Sequence, residues 1–150
     1  MIRSADLQKH ALGGLAVFGL FLWLSNANVG GNPAPLEHRY NVKEVSAADA
    51  KALVDGGVMV VDVRGKEAFH SGHIPGAISI PLDDLRVRIP AAIEDAKTMS
   101  ILIYCGDGVT TGPEGTEILN NAGYVNAVNL RTGLDGWEKA GYPVARGEPG

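Results

Sequence analysis

The sequence has only one cysteine in 150 residues, which excludes an internal disulfide and a metal site built from several thiolates. Its four histidines show no zinc-ligand spacing with that cysteine, so we predict no metal and no other cofactor. The chain also lacks any block rich in lysine or arginine and carries a net charge of −4. A basic binding surface is therefore missing, and we predict no nucleic-acid partner. The hydrophobic content of 45% is ordinary for one globular domain.

Long apolar runs are also scarce, and the longest lies close to the N-terminus, over residues 11–24. It is shorter than the about 20 residues that span a bilayer. A basic start, this apolar middle and small residues at alternate positions up to Ala27 are the order of a secretory signal. We predict that residues 1–27 form a cleaved signal peptide; the alternative is an uncleaved anchor that tethers the chain to a membrane through residues 11–27. Both alternatives predict export, with the domain either free in the periplasm or anchored and facing it.

The remaining chain divides into a linker and one domain. Residues 28–39 contain two glycines and two prolines without periodicity, which is typical of a linker. The domain is predicted over residues 40–146, and residues 147–150 form a tail. Apolar runs alternate with helical patterns along the domain, which predicts an α/β fold with a parallel sheet.

Individual elements follow from the same patterns. Strands are predicted over residues 40–45, 58–63, 77–80, 101–104 and 125–130. Helices are predicted over residues 47–54, 66–70, 82–89, 91–96 and 113–121, and a final short helix opens at residue 133.

The single cysteine, Cys105, directly follows the predicted strand over residues 101–104. The loop after it, Gly-Asp-Gly-Val-Thr-Thr-Gly112, is rich in glycine and leads into a predicted helix. Such a loop can point several N–H groups inward and bind an anion, and the helix dipole adds to this effect. We therefore expect the pKa of the Cys105 thiol to fall below its usual value of about 8.5, which makes it a nucleophile at neutral pH. The alternative is a buried structural thiol, since free cysteines are among the most buried residues.

Four blocks of sequence, in this order, resemble a single-domain rhodanese, which is a sulfurtransferase. They are Val61-Asp-Val-Arg-Gly-Lys-Glu-Ala-Phe69, Gly72-His-Ile-Pro-Gly-Ala77, Tyr104-Cys-Gly-Asp-Gly-Val-Thr-Thr111, and Gly133-Leu-Asp-Gly-Trp137 with Ala140-Gly-Tyr-Pro143. The resemblance covers residues 41–146. It implies a sheet of about five parallel strands with helices on both faces, and a catalytic Cys105 that carries sulfur as a persulfide.

The resemblance also implies a two-step reaction. The Cys105 thiolate takes a sulfur from a small donor such as thiosulfate or mercaptopyruvate, and a nucleophilic acceptor (cyanide, a small thiol or a thiol of a partner protein) then removes it. Persulfide and substrate are expected to contact the loop and one nearby arginine: Gly106, Asp107, Gly108, Val109, Thr110, Thr111 and Arg64. Arg64 has an alternative role, a structural ion pair with Asp62 or Glu67. The alternative function is a non-catalytic rhodanese-like module that binds a partner or only carries sulfur.

The second residue of the loop, Asp107, distinguishes this chain within the resemblance. The loop is similar to the Cys-Gly-Ser-Gly-Val-Thr loop of mercaptopyruvate sulfurtransferases, with an aspartate in place of the serine. Unless Asp107 faces solvent or pairs with a cation, its charge should raise the pKa of the Cys105 thiol and disfavour a dianionic donor. The alternative is an ordinary turn residue. Related phosphatases have an arginine six residues after the cysteine, where this chain has Thr111, so phosphatase activity is not expected.

Overall fold

The computed structural model describes residues 40–148. The predicted signal peptide or anchor and the predicted linker lie outside the described residues, as do the last two residues of the tail. Among residues 40–148, no helix combines the length and the apolar character needed to cross a membrane.

A five-stranded, all-parallel sheet forms the centre of the domain, as predicted. The strands are β1 (Glu44–Val45), β2 (Met59–Asp62), β3 (Ile78–Ser79), β4 (Ile101–Tyr104) and β5 (Ala127–Leu130), and their order in the sheet is β1-β5-β4-β2-β3. The longest apolar runs take the middle positions, because a strand between two neighbours is covered on both faces. All four residues of β4, and all four of β5, are buried.

Helices cover both faces of the sheet, which confirms the predicted α/β arrangement. They are α1 (Ala47–Asp55), α2 (Lys66–Ser71), α3 (Leu82–Val87), α4 (Thr111–Asn121) and α5 (Gly133–Lys139), with a 3₁₀ helix over Ala91–Ala96. Successive side chains of a strand point to opposite faces. Ile101 and Ile103 of β4 therefore pack with α3 and α4, while Leu102 and Tyr104 pack with α1, α2 and α5.

Most predicted boundaries differ from the observed ones by one or more residues, and three of these differences have a clear physical reason. The first strand contains only two residues instead of six, because only Glu44 and Val45 pair with β5. Helix α3 ends at Val87 rather than at residue 89, which places its end three residues before Pro90. Helix α4 begins at Thr111, so Pro113 lies in its first turn, where a missing N–H leaves no hydrogen bond unmade.

Candidate active site

Cys105 lies at the carboxyl end of β4, in the middle of the sheet, and two main-chain hydrogen bonds hold the start of its loop. The Leu134 N–H donates to the Cys105 carbonyl at 2.8 Å, and the Asp135 N–H donates to the Gly106 carbonyl at 2.9 Å. Both donors belong to the first turn of α5, where N–H groups have no partner within the helix. The first turn of α5 thus fixes the position of the loop relative to the sheet.

The loop also packs against the segment that joins β5 to α5. Gly108 has a φ of +80° and lies against the carbonyl of Arg131, so closely that no side chain fits between them. Gly112 is equally confined, because a Cβ there would contact the side-chain oxygen of Asn129 and lie 3.2 Å from the Cys105 Sγ. Glycine at these positions therefore allows main chain and sulfur to come close together.

Three polar groups surround the sulfur of Cys105. The Gly108 N–H donates to Sγ at 3.2 Å, the thiol donates to Asp107 Oδ1 at 3.4 Å, and the Thr110 hydroxyl lies 3.8 Å away. The residue is only 1% exposed, whereas Asp107 and Thr110 are exposed. Burial of this degree agrees with the structural-thiol alternative. The polar partners distinguish this thiol from one that packs only against apolar side chains.

Asp107 binds the loop's own donors. Its Oδ1 accepts hydrogen bonds from the Val109 N–H at 2.9 Å, the Thr110 N–H at 3.0 Å and the Thr110 hydroxyl at 2.9 Å. Partial burial favours the neutral acid, but these hydrogen bonds and the one from Cys105 outweigh it and hold the pKa of Asp107 below its usual value. The carboxylate is therefore ionised at neutral pH, in the geometry of an Asx turn.

The loop amides that were predicted to bind the persulfide thus have two different acceptors. The Gly108 amide donates to the sulfur, while the amides of Val109 and Thr110 donate to the Asp107 carboxylate. Val109 itself is 64% exposed, and Thr111 is half-buried at the start of α4.

Arg64 belongs to an ion pair at the end of β2. Its Nη2 lies 2.6 Å from Asp62 Oδ2 and donates to the Gly72 carbonyl at 2.6 Å. Burial opposes the charge, but the hydrogen bonds and charge of Asp62 outweigh this effect and raise the pKa of Arg64. A Cβ built at Gly106 would lie 4.0 Å from the Arg64 Cδ, so the aliphatic part of this side chain lies beside the loop. Arg64 thus forms the ion pair with Asp62 that was predicted as the alternative to substrate binding, and it does so beside the loop.

A polar residue of β5, Asn129, contributes to the site and did not emerge from the sequence analysis. It is fully buried, and its Nδ2 donates to the Gly108 carbonyl at 2.9 Å and to Glu44 Oε1 at 3.0 Å. The amide thereby ties the loop after β4 to β5 and β1. An asparagine between two apolar residues of a buried strand was the available signal, because buried polar side chains usually have a specific partner.

Metal binding has no evident basis at this site. Within residues 40–148, no three side chains of His, Cys, Asp or Glu come close enough together to hold a metal ion.

Comparison with known proteins identifies the family. The model of the rhodanese-like domain matches residues 46–140. Thiosulfate sulfurtransferase PspE of Escherichia coli is 38% identical over 69 residues, which cover 46% of this chain and 64% of the relative. An HTH-type transcriptional regulator of Mycobacterium tuberculosis is 38% identical over 95 residues, which cover 63% of this chain but only 40% of the relative.

Solved structures agree with this result. The rhodanese-like domain of an Anabaena protein, determined by NMR, superposes with a TM-score of 0.58 at 29% identity, over 69% of this chain and 78% of that one. Residues 46–140, which the family model matches, include all the strands of the sheet except β1, together with the cysteine loop and the first turn of α5. The chain belongs to the rhodanese-like domain family.

Proposed function

We propose that this protein is a sulfurtransferase that passes a sulfane sulfur from a donor to a nucleophilic acceptor through a persulfide on Cys105. The observation that carries the proposal is the position of the thiol. Its sulfur lies at the carboxyl end of the central strand, where parallel sheets bind ligands, and accepts the Gly108 N–H at 3.2 Å. The similarity to a thiosulfate sulfurtransferase supports the same chemistry.

The reaction consists of two displacements that need no other oxidant or reductant. In the first, the Cys105 thiolate attacks the sulfur to be transferred, and the bond that joins this sulfur to the rest of the donor breaks. The electron pair leaves with sulfite when the donor is thiosulfate, and with the enolate of pyruvate, which then takes up a proton, when the donor is mercaptopyruvate. In the second, an acceptor thiolate attacks the outer sulfur of the Cys105 persulfide, and the Cys105 thiolate leaves. The Gly108 amide, already directed at Sγ, would donate to the negative charge that returns there in the second step.

Access to the sulfur requires a movement of the loop, because Cys105 is only 1% exposed. Asp107, Val109 and Thr110 of this loop are exposed. Loop motions take nanoseconds to microseconds, so burial of this degree is compatible with turnover.

Cys105→Ser tests the proposal directly. After incubation with thiosulfate, mercaptopyruvate or a small persulfide, mass spectrometry of the wild-type protein should show the added mass of one sulfur atom on the peptide that contains Cys105. The serine variant should show none, while its unfolding curve shows that it still folds. A wild-type protein that gains no sulfur from any of these donors would contradict the proposal.

The burial of the thiol favours a second candidate, a non-catalytic module that binds a partner. At 1% exposure Cys105 has the accessibility of a structural thiol. This candidate predicts that neither a sulfur donor nor an alkylating reagent modifies Cys105 in the folded protein, whereas the sulfurtransferase predicts modification by both.

A further inference from the structure

We infer that Asp107 determines donor specificity: its carboxylate fills the anion-binding part of the Cys105 loop and selects donors with at most one negative charge, namely persulfides of small thiols, over dianionic thiosulfate. The inference rests on the proposed function and concerns the class of donor.

Hydrogen-bond donors of the loop are already bound to Asp107. Two main-chain N–H groups, those of Val109 and Thr110, and the Thr110 hydroxyl converge on the same carboxylate oxygen at 2.9–3.0 Å. Neighbouring main-chain N–H groups that converge in this way form an anion-binding nest. The sulfonate of a bound thiosulfate would need such donors, but in this chain they already bind an anion supplied by the loop itself.

Electrostatic repulsion by Asp107 also disfavours a dianionic donor. Asp107 Oδ1 lies 3.4 Å from Sγ, and the outer sulfur of any donor has to contact Sγ before it can be transferred. A negative group attached to that sulfur therefore comes within a few ångströms of the carboxylate, where like charges repel strongly in a partly buried site. The hydrogen bonds to Asp107 keep it ionised throughout the pH range in which a thiolate forms. Repulsion is greater for a dianion than for a singly charged donor.

Within the part of the chain that the structure describes, Asp107 forms no ion pair with a cationic side chain. Arg64, the arginine beside the loop, already forms its ion pair with Asp62. Among the described residues, the groups that donate hydrogen bonds to this carboxylate are neutral: two main-chain amides, a hydroxyl and the Cys105 thiol.

A small persulfide needs no free amide donors for a sulfonate, and it carries at most one negative charge near Asp107. The Cys105 thiolate attacks the terminal sulfur of R–S–SH, the S–S bond breaks, and the electron pair leaves as the thiolate RS⁻, which takes up a proton from water. The new Cys105 persulfide releases its own proton to solvent. The step forms one S–S bond, breaks one, and requires no sulfonate site.

The experiment compares two donors on three variants. Loading of Cys105 is followed by mass spectrometry with thiosulfate and with the persulfide of 2-mercaptoethanol, and the ratio of the two rates is the readout. Asp107→Asn keeps an acceptor oxygen and removes the charge, and Asp107→Ala also empties the position. Asp84→Asn, at an exposed position of α3, removes the same charge elsewhere and serves as the control.

The wild-type protein should be loaded faster by the persulfide than by thiosulfate. The thiosulfate-to-persulfide ratio should rise by at least about tenfold in Asp107→Asn, the effect of a charge interaction equal to one pK unit. It should rise at least as much in Asp107→Ala and stay unchanged in Asp84→Asn. A ratio that stays at the wild-type value in both Asp107 variants would overturn the inference and leave the proposed function intact. Failure of both donors on all variants would instead overturn the proposed function.

Discussion

Replacement of Gly108 by alanine is expected to lower the free energy of unfolding by about 2–5 kcal/mol. This is the sum of the cost of a left-handed backbone angle, about 1–2 kcal/mol, and the cost of steric overlap, about 1–3 kcal/mol. At its φ of +80°, an added Cβ would overlap the carbonyl of Arg131 and lie 2.6 Å from the amide nitrogen of Gly133. Both neighbours are main-chain atoms at the start of α5, so neither can rotate away. The loop or the start of α5 has to move, and we expect the amide hydrogen bond to Sγ to be lost with it.

Gly57 offers a matched control for this prediction. Its φ of +82° is nearly the same, but no atom lies within 4 Å of a Cβ built there. Gly57→Ala should therefore lower the free energy of unfolding only by the cost of the left-handed backbone angle, about 1–2 kcal/mol. Urea unfolding of both variants measures the difference, and equal losses would show that the close approach at Gly108 contributes nothing.

Loss of the Asp62 carboxylate should have an effect of similar size. Asp62 is fully buried, and the side chain of its partner Arg64 is only 16% exposed. Asp62→Ala leaves the guanidinium beside the Gly72 carbonyl and the Tyr104 ring but without a carboxylate, and it also removes the acceptor of the Arg64 N–H. Removal of one partner from a buried ion pair typically costs about 3–5 kcal/mol. We expect a loss in this range, measured by urea unfolding at neutral pH.

Two further variants separate the ion pair from general effects of the substitution. Asp55→Ala breaks an exposed pair with Lys51 and should cost at most about 1 kcal/mol. The double variant Asp62→Ala/Arg64→Met removes both charges and should recover part of the loss, because an apolar replacement leaves no buried charge unpaired. If the double variant is as unstable as the sum of its single substitutions, the unpaired guanidinium is not the cause.

Local patterns sufficed to predict most of the fold. The apolar runs that become β2 and β4 are too short for buried helices, and the position of Cys105 at a strand end follows from where its run stops. The alternation of strand and helix patterns predicted the parallel sheet, and the resemblance to the rhodaneses implied the same arrangement with about five strands. The first strand was predicted too long because its length is set by pairing with β5, which no local pattern records.

The detail of the site depended on contacts between distant parts of the chain. Asn129 reaches the loop because β5 lies beside β4 in the sheet, and Gly108 requires glycine because of the main chain at Arg131. The conformation of Asp107 depends on which loop amides donate to it. From the sequence alone, Asp107 could either repel the Cys105 thiolate or serve as an ordinary turn residue. The structure shows both features together: Asp107 forms the turn and lies against the sulfur.

The central claim is that Cys105 holds a transferable sulfur, and discharge of the loaded protein tests it most directly. Protein loaded with sulfur and freed of excess donor is mixed with a small thiol or with cyanide, and the mass of the Cys105 peptide is followed in time. The account predicts that the added sulfur leaves Cys105 as an equal amount of acceptor persulfide or thiocyanate appears, and that the protein can then be loaded again. A sulfur that stays on Cys105 in the presence of both acceptors would contradict the account.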